Sequence, residues 1–280
     1  MKSIKLGGWN EFAGALQEID NIRQDLRKAR PGYGAKPLFR GVGRLGWGLE
    51  TTLERACPGE LSKPITDLGA YYNFISPAHP GIETLTEKAW PIPSFPDFCD
   101  QIEGSKTISA AHFFNTQISV YRFFIYLRHH GYPSPLLDWT ESPYVAAFFA
   151  FDAMPAEADC VSIFASIFDS VRFRSGCDPE ITVLGPYVTC HRRHMIQQST
   201  YTICTLWNDG ARLCSHNEVI KNPEALGTKG QAIRIDIPAA DRSKALKNLD
   251  AMNVNPYSLF NTEESLMRTL ARRAGLFESL

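Results

Sequence analysis

Apolar positions along the 280-residue chain change period several times, and each change predicts an element. Trp9, Phe12, Leu16, Ile19, Ile22 and Leu26 recur at helical spacing, which predicts an amphipathic helix over about 9–29, with Asn10 as its cap and Pro31-Gly32-Tyr33-Gly34 as its stop. Lys36 to Gly43 reads as a short strand that runs through Leu38, Phe39 and Arg40 into a glycine-rich turn. Residues 49–56 and 66–75 suit two short helices, the first closed by Cys57-Pro58-Gly59. From Ser76 to Phe98, prolines at 77, 80, 91, 93 and 96 predict a long irregular excursion pinned by Trp90, Phe95 and Phe98. Loops of that length usually serve as lids or binding surfaces.

One apolar helix is expected from Ser109 to His130, stopped by Gly131 and barred from continuing by Pro133 and Pro135. Leu136 to Thr140 is a strand, and Ser142-Pro143 opens a helix without charge through Phe151. Cys160 to Phe168 predicts a buried strand, with β-like fragments at Ile181–Leu184 and Tyr187–Thr189 and an alternating strand after Gln198. Gln231 to Ile237 alternates as a strand with one solvated face. Arg242–Met252 and Glu263–Ala274 close the chain as amphipathic helices, the last with Leu266, Leu270 and Ala274 as its apolar face. The fold class expected is α+β: one domain over 1–280, with a central mixed or antiparallel, possibly split, sheet and flanking helices.

Composition adds exclusions. With 44% hydrophobic and 21% charged residues the chain is ordinary for a globular domain, and a net charge of −1 argues against broad attraction to nucleic acid or an anionic membrane. A local basic cluster remains at His191-Arg192-Arg193-His194, so nucleic acid stays open only as an acceptor. No apolar stretch approaches the roughly 20 residues of a membrane-spanning helix, and Met1 to Trp9 lacks the apolar core of a secretory signal. A cytoplasmic location is therefore expected. Seven cysteines without a CxxC pair fit free thiols in a reducing compartment. Cys190, His191, His194, Cys204, Cys214 and His216 match no compact zinc spacing, so no metal is expected.

The chemistry concentrates between His129 and Thr140, where polar residues sit between two apolar elements. Arg40, at the end of a strand, presents a fork suited to phosphate or a ribose-diphosphate, and Gly41 and Gly43 would let a ligand approach the backbone. Bland readings stand beside these. Arg40 can be a salt-bridging surface residue, His129 and His130 suit the end of a helix dipole, and Asp138 can cap or pair locally.

Phe39-Arg40-Gly41, the block His129-His130-Gly131 through Leu136-Leu137-Asp138-Trp139-Thr140, and the helix Pro143–Phe151 together resemble the FRG domain family. Weaker matches lie at Trp9 and Phe12, Leu49–Arg55, Gln197-Gln198 and Ser258-Leu259-Phe260. The chain departs from that pattern with Arg128 in place of Gln, Val42 of Gln, Ser134 of Thr, Pro135 of Arg and Ser199 of Gly. Arg128 or Arg193 could supply the basic group missing at 135. More distantly, the order of these pieces resembles the split-sheet ADP-ribosyltransferase fold. That resemblance implies NAD as a substrate, bound by Arg40, Gly41, His129, Trp139 and Thr140. His130 would then move a proton, Asp138 would stabilise an oxocarbenium-like state, and Gln198 would take the late-strand position. Gln198 is not a carboxylate, so a late acid would have to come from elsewhere, with Glu141 and Glu218 as candidates, or the reaction differs. The function implied is an NAD-utilising ADP-ribosyltransferase-like enzyme or NAD glycohydrolase, in a prokaryotic toxin or anti-phage role, with a macromolecular acceptor or an antitoxin protein as partner. The alternative is a nucleotide-binding or protein-interaction module that uses the same cleft without turnover.

Overall fold

The computed structural model describes residues 1–29, 36–56, 65–105, 110–167, 179–185, 192–207, 210–221 and 231–276. Expectations at Pro31–Gly34, Cys57-Pro58-Gly59, Ser109, Phe168, Cys177, Tyr187–Thr189, Cys190 and His191 lie outside them. The chain opens with strand β1 (Lys2–Lys5), a 3₁₀ turn at Trp9–Glu11 and helix α1 (Phe12–Ala29). Strand β2 (Pro37–Val42) follows, then helices α2 (Thr52–Ala56), α3 (Leu68–Ile75), α4 (His79–Thr86), α5 (Phe95–Gly104), α6 (Ala110–Thr116) and α7 (Ile118–His129). Strand β3 (Leu137–Thr140) leads into α8 (Pro143–Asp152), β4 (Cys160–Ile167) and β5 (Glu180–Val183). Next come α9 (Arg192–Ile196), β6 (Ser199–Trp207), β7 (Ala211–Leu213), α10 (His216–Lys221) and β8 (Gln231–Pro238). Helices α11 (Arg242–Ala251), α12 (Pro256–Phe260) and α13 (Glu263–Arg273) end the described chain.

The strands form one mixed sheet in the order β1-β8-β4-β2-β3-β6-β5, with β7 paired to β6. β1 runs parallel to β8 and the other pairs are antiparallel, so the α+β expectation is met. The seams differ in completeness. β4 and β8 pair along their whole length, from Cys160↔Pro238 to Ile167↔Gln231. β2 and β3, at the centre of the sheet, share a single register pair among the described residues, Phe39↔Thr140.

Alternation along the strands sends neighbours to opposite faces. Phe39, Ile163 and Ile235 pack with α8 and with Trp9, Phe12 and Leu246. Leu38, Trp139 and Phe164 pack with Val219 and Ile220 of α10. A third, aromatic cluster joins α3, α5, α6 and α7 to Tyr201, Ile203 and Trp207 of β6. It contains stacked Tyr72 and Phe98, 3.8 Å between centroids.

Several expectations need correction. Asn10 is not the cap at the start of the first helix. Gly8 holds the cap position without a side-chain bond; Trp9 N donates to Asp241 Oδ2 at 2.6 Å and Gly7 N to Glu11 Oε2 at 2.8 Å. The 76–98 stretch is irregular only over 88–94, around Pro91 and Pro93; Pro77, Pro80 and Pro96 each stand in the first turn of a helix, where a missing N–H costs nothing. Trp90 and Phe98 pin it, but Phe95 is 40% exposed. The apolar run before Gly131 is two helices broken at Gln117. The polar face of β8 is not solvated either: Asp236 is 3% exposed, held by Arg234, Ser162 and Ser3.

In α13 the buried face carries Ser265, Thr269 and Arg272, while Met267 and Leu270 are exposed. The polar side prevails because its groups find partners. Arg272 pairs with Asp152 at 2.6 Å, and Thr269 Oγ1 accepts from Tyr257 N at 2.9 Å. Cys99, Cys160, Cys204 and Cys214 are free thiols. Among the described residues no helix is long and apolar enough to cross a membrane.

Candidate functional site

The incomplete seam positions the site. Beyond Phe39↔Thr140, Arg40 replaces the backbone ladder with its side chain, donating from Nη1 to the Asp138 carbonyl at 2.9 Å. A cleft of about 330 Å³ opens there, at the lower end of the size range of small-molecule sites. β2 gives it Phe39, Arg40 and Gly41; β3 gives Asp138, Trp139 and Thr140; the end of α7 gives Arg128 and His129. Opposite stand Ser199 and Tyr201 of β6, Arg193 and Gln197, Phe149 of α8 and Phe260 of α12.

The end of α7 is set by Gly131, whose φ of +84 suits glycine at a helix stop. α8 is capped as the sequence predicts: Ser142 Oγ accepts from Val145 N at 3.3 Å, with proline in the first turn. Gly41 lines the cleft, but another contact demands its missing side chain. A Cβ there would stand 1.9 Å from the Ala146 carbonyl oxygen and 2.7 Å from Ala150 N. The glycine lets α8 lie on β2, which is a packing requirement rather than room for a ligand.

The charges are unevenly matched. Asp138 Oδ2 takes a short hydrogen bond from Arg128 Nη2 and lies 3.9 Å from Arg40 Nη1. The side chains of Arg40, Arg128 and Asp138 are 14%, 16% and 38% exposed. Burial pulls the Arg40 guanidinium down to about 10; Asp138 opposes that shift and Arg128 adds to it. The Nε atoms of Arg40 and Arg128 are buried without a hydrogen-bond partner among the described residues. Arg193 completes the basic wall, with its guanidinium over the Phe260 ring at 5.5 Å and its Nε donating to the Phe260 carbonyl. Phe149 and Phe260 meet edge to face at 6.0 Å, an apolar patch beside the guanidiniums.

Tyr201 ties the cleft to two imidazoles. Its hydroxyl lies 2.8 Å from His129 Nε2 and 3.5 Å from His194 Nδ1. Burial lowers the pKa of His194 and so favours the neutral ring. Tyr201 is paired with Asp138, and Ser199 with Thr140, across β3 and β6, which brings all four side chains to one face.

Arg40, Gly41, His129, Asp138, Trp139 and Thr140 are therefore brought together, with differing availability. Trp139 is 2% exposed and its indole N–H donates to Thr202 Oγ1 at 2.9 Å, which leaves no open ring face for a nicotinamide. Thr140 Oγ1 donates to the Gln197 carbonyl at 2.7 Å and accepts from Ser142 N. His130 and Gln198 are not on the wall. His130 is exposed at the cap of α7, its ring against Tyr126 at 4.4 Å. Gln198 is exposed in a left-handed turn at φ 47, and its carbonyl accepts from Glu141 N. That turn puts the preceding glutamine, Gln197, into the cleft, its Nε2 donating to the Leu259 carbonyl. Neither Glu141, which pairs with Lys36 at 2.8 Å, nor Glu218 lines the cleft. Tyr201, Ser199, Gln197, Phe149 and Phe260 lie outside the expected set. Tyr201 and Ser199 belong to it through strand register, and Phe149, Gln197 and Phe260 through the packing of elements distant in sequence, neither of which a local pattern displays.

No curated protein and no solved structure matches the chain. Residues 35–159 match the model of the FRG domain; that span contains β2, the end of α7, β3 and α8, and so one continuous wall of the cleft.

Proposed function

We propose that the cleft binds a nucleotide through its phosphates, with NAD as the ligand to test first. The observation that carries this reading is the charge of the wall: among the described residues, Arg40, Arg128 and Arg193 face a single lining carboxylate, Asp138. Guanidinium forks suit phosphate oxygens, and the patch made by Phe149 and Phe260 offers a base an apolar surface. The side-chain bridge across the nearly unpaired β2–β3 seam supports the comparison with a split-sheet NAD site.

Turnover is the second reading. Tyr201 and His129 form a hydrogen-bonded pair on the wall that could move a proton, and Asp138 is open to the cleft. An oxocarbenium-like state, however, is stabilised by a carboxylate with charge to spare. Asp138 is already bound to Arg128, and neither His130 nor Gln198 is within the lining. Binding therefore ranks ahead of NAD cleavage. A toxin or anti-phage role, a macromolecular acceptor and an antitoxin partner belong to the turnover reading.

Calorimetry with NAD and ADP-ribose tests the first reading. Saturable binding to the wild type is expected, weakened about tenfold by Arg193→Ala, the loss of roughly one charge-assisted contact. Absence of binding at millimolar ligand would end it. Chromatography for released nicotinamide then separates the readings: product formation that depends on Asp138 and Tyr201 would reverse their order.

A further inference from the structure

We propose that Asp138 is a resident anion: its carboxylate occupies a seat between Arg128 and Arg40 that is built for a ligand phosphate, and the ligand displaces it. Arginine and carboxylate usually meet through two parallel hydrogen bonds. Here a single oxygen, Oδ2, serves both guanidiniums, bonded to Arg128 and 3.9 Å from Arg40. Arg40 spends an Nη1 proton on the backbone of residue 138 instead. The Nε atoms of both arginines are buried without a hydrogen-bond partner among the described residues. Two planar forks thus converge on one carboxylate oxygen, which leaves fork positions of both arginines unbonded to the carboxylate.

Charge points the same way. Two guanidiniums at 14% and 16% exposure against one carboxylate leave a net positive charge in a largely desolvated place, and such a charge is costly when uncompensated. A phosphate or diphosphate carries the missing charge and several acceptor oxygens. Asp138 is also the member that can leave. Its side chain is 38% exposed, so it can turn to solvent while the arginines stay anchored in the protein.

The consequence is selectivity. Any ligand has to outcompete a tethered carboxylate, which disfavours monovalent anions and favours multiply charged ones. Asp138 is then neither the base nor the charge stabiliser of a reaction; it sets the threshold for entry. The inference rests on the nucleotide reading for the identity of the ligand, but the seat itself can be tested without a nucleotide.

The experiment compares sodium pyrophosphate binding and thermal stabilisation of the wild type, Asp138→Asn and Asp138→Ala at fixed ionic strength. Both variants should bind pyrophosphate about tenfold more tightly than the wild type, equivalent to about 1.4 kcal/mol. They should also melt lower without pyrophosphate and recover with it. The gain should vanish when Arg128→Gln is added. Equal or weaker binding by both variants overturns the proposal. If a variant folds only with pyrophosphate, and not in sodium chloride of the same ionic strength, the proposal stands; if it folds in neither, Asp138 is a structural residue and the proposal fails. Two outcomes separate the proposal from the nucleotide reading. NAD that binds the wild type and weakens in Asp138→Asn leaves the nucleotide reading intact and removes the resident anion. Tighter pyrophosphate binding with no NAD or ADP-ribose binding to any form does the reverse.

Discussion

The same sheet contains two aspartate–arginine assemblies that do different things. Asp236 of β8 is 3% exposed and saturated: Ser162 Oγ donates at 2.6 Å, Ser3 Oγ at 3.2 Å and Arg234 Nε lies 2.9 Å away. Asp138 of β3 is 38% exposed, with one carboxylate oxygen shared by Arg128 and Arg40. Residue type does not separate the two. Continuity of the backbone ladder does. β8 is paired on both sides, with β1 and β4, so the side chains above it can complete one another. Between β2 and β3 the ladder shrinks to one described pair, and Arg40 is drawn into bonding a backbone carbonyl. Where the ladder stops, bonding capacity is left over, and the cleft forms there.

The strongest test of this contrast is Asp236→Ala. Removing one partner of a buried ion pair strands the others, so urea denaturation should show a loss of about 3–5 kcal/mol. A loss below about 1 kcal/mol would mean that Asp236 is no more structural than Asp138. The second test addresses the dry side of the open seam. His216 is fully buried, its Nε2 3.0 Å from the Thr202 Oγ1 that also accepts from the Trp139 indole N–H. Burial, helped by Arg40, pushes its pKa down to about 3 from the ordinary 6.5. Between those values the unfolded chain takes up a proton that the folded chain refuses. Its contribution is intact above about pH 6.5 and falls as pH is lowered toward 3, by at most about 1.4 kcal/mol per pH unit. Denaturation of wild type and His216→Gln at pH 7 and pH 4.5 should differ by that slope; parallel curves would show that the back of the seam is wet. Asp138→Asn comes third, costing about 1 kcal/mol, as for a partly solvated pair, recoverable with pyrophosphate.

Local sequence displays whatever local physics decides. β2, β3, the Ser142 cap and the Gly131 stop are all legible because each depends on neighbours in the chain, and so Arg40, His129 and Asp138 are found from it. β1 is not legible: Lys2-Ser3-Ile4-Lys5 has no apolar run and is a strand because β8 pairs with it. Tyr201 and Ser199 belong to the cleft through their pairing with Asp138 and Thr140, a register that local pattern leaves open. One residue of shift moves a side chain to the other face. Gln197 and Gln198 show the sensitivity, since a left-handed turn at Gln198 exchanges the role expected for one with its neighbour.

The last helix shows the same limit in burial. Apolar spacing assigns Leu270 of α13 to the core, yet it is 48% exposed while Thr269 beside it is 2% exposed. The inversion holds because the buried polar side chains make specific bonds: Thr269 Oγ1 accepts from Tyr257 N and donates to the Ser265 carbonyl at 2.9 Å, and Arg272 reaches Asp152. Turning the helix to bury Leu270 would gain part of one leucine, at most about 1.5–3 kcal/mol, and would strand these groups at about 1–3 kcal/mol each. Leu270→Ser should therefore change stability by less than about 0.5 kcal/mol, the smallest effect predicted. A loss above about 1 kcal/mol in urea would put Leu270 back in the core and show that, on this helix, apolar spacing outweighs polar bonding.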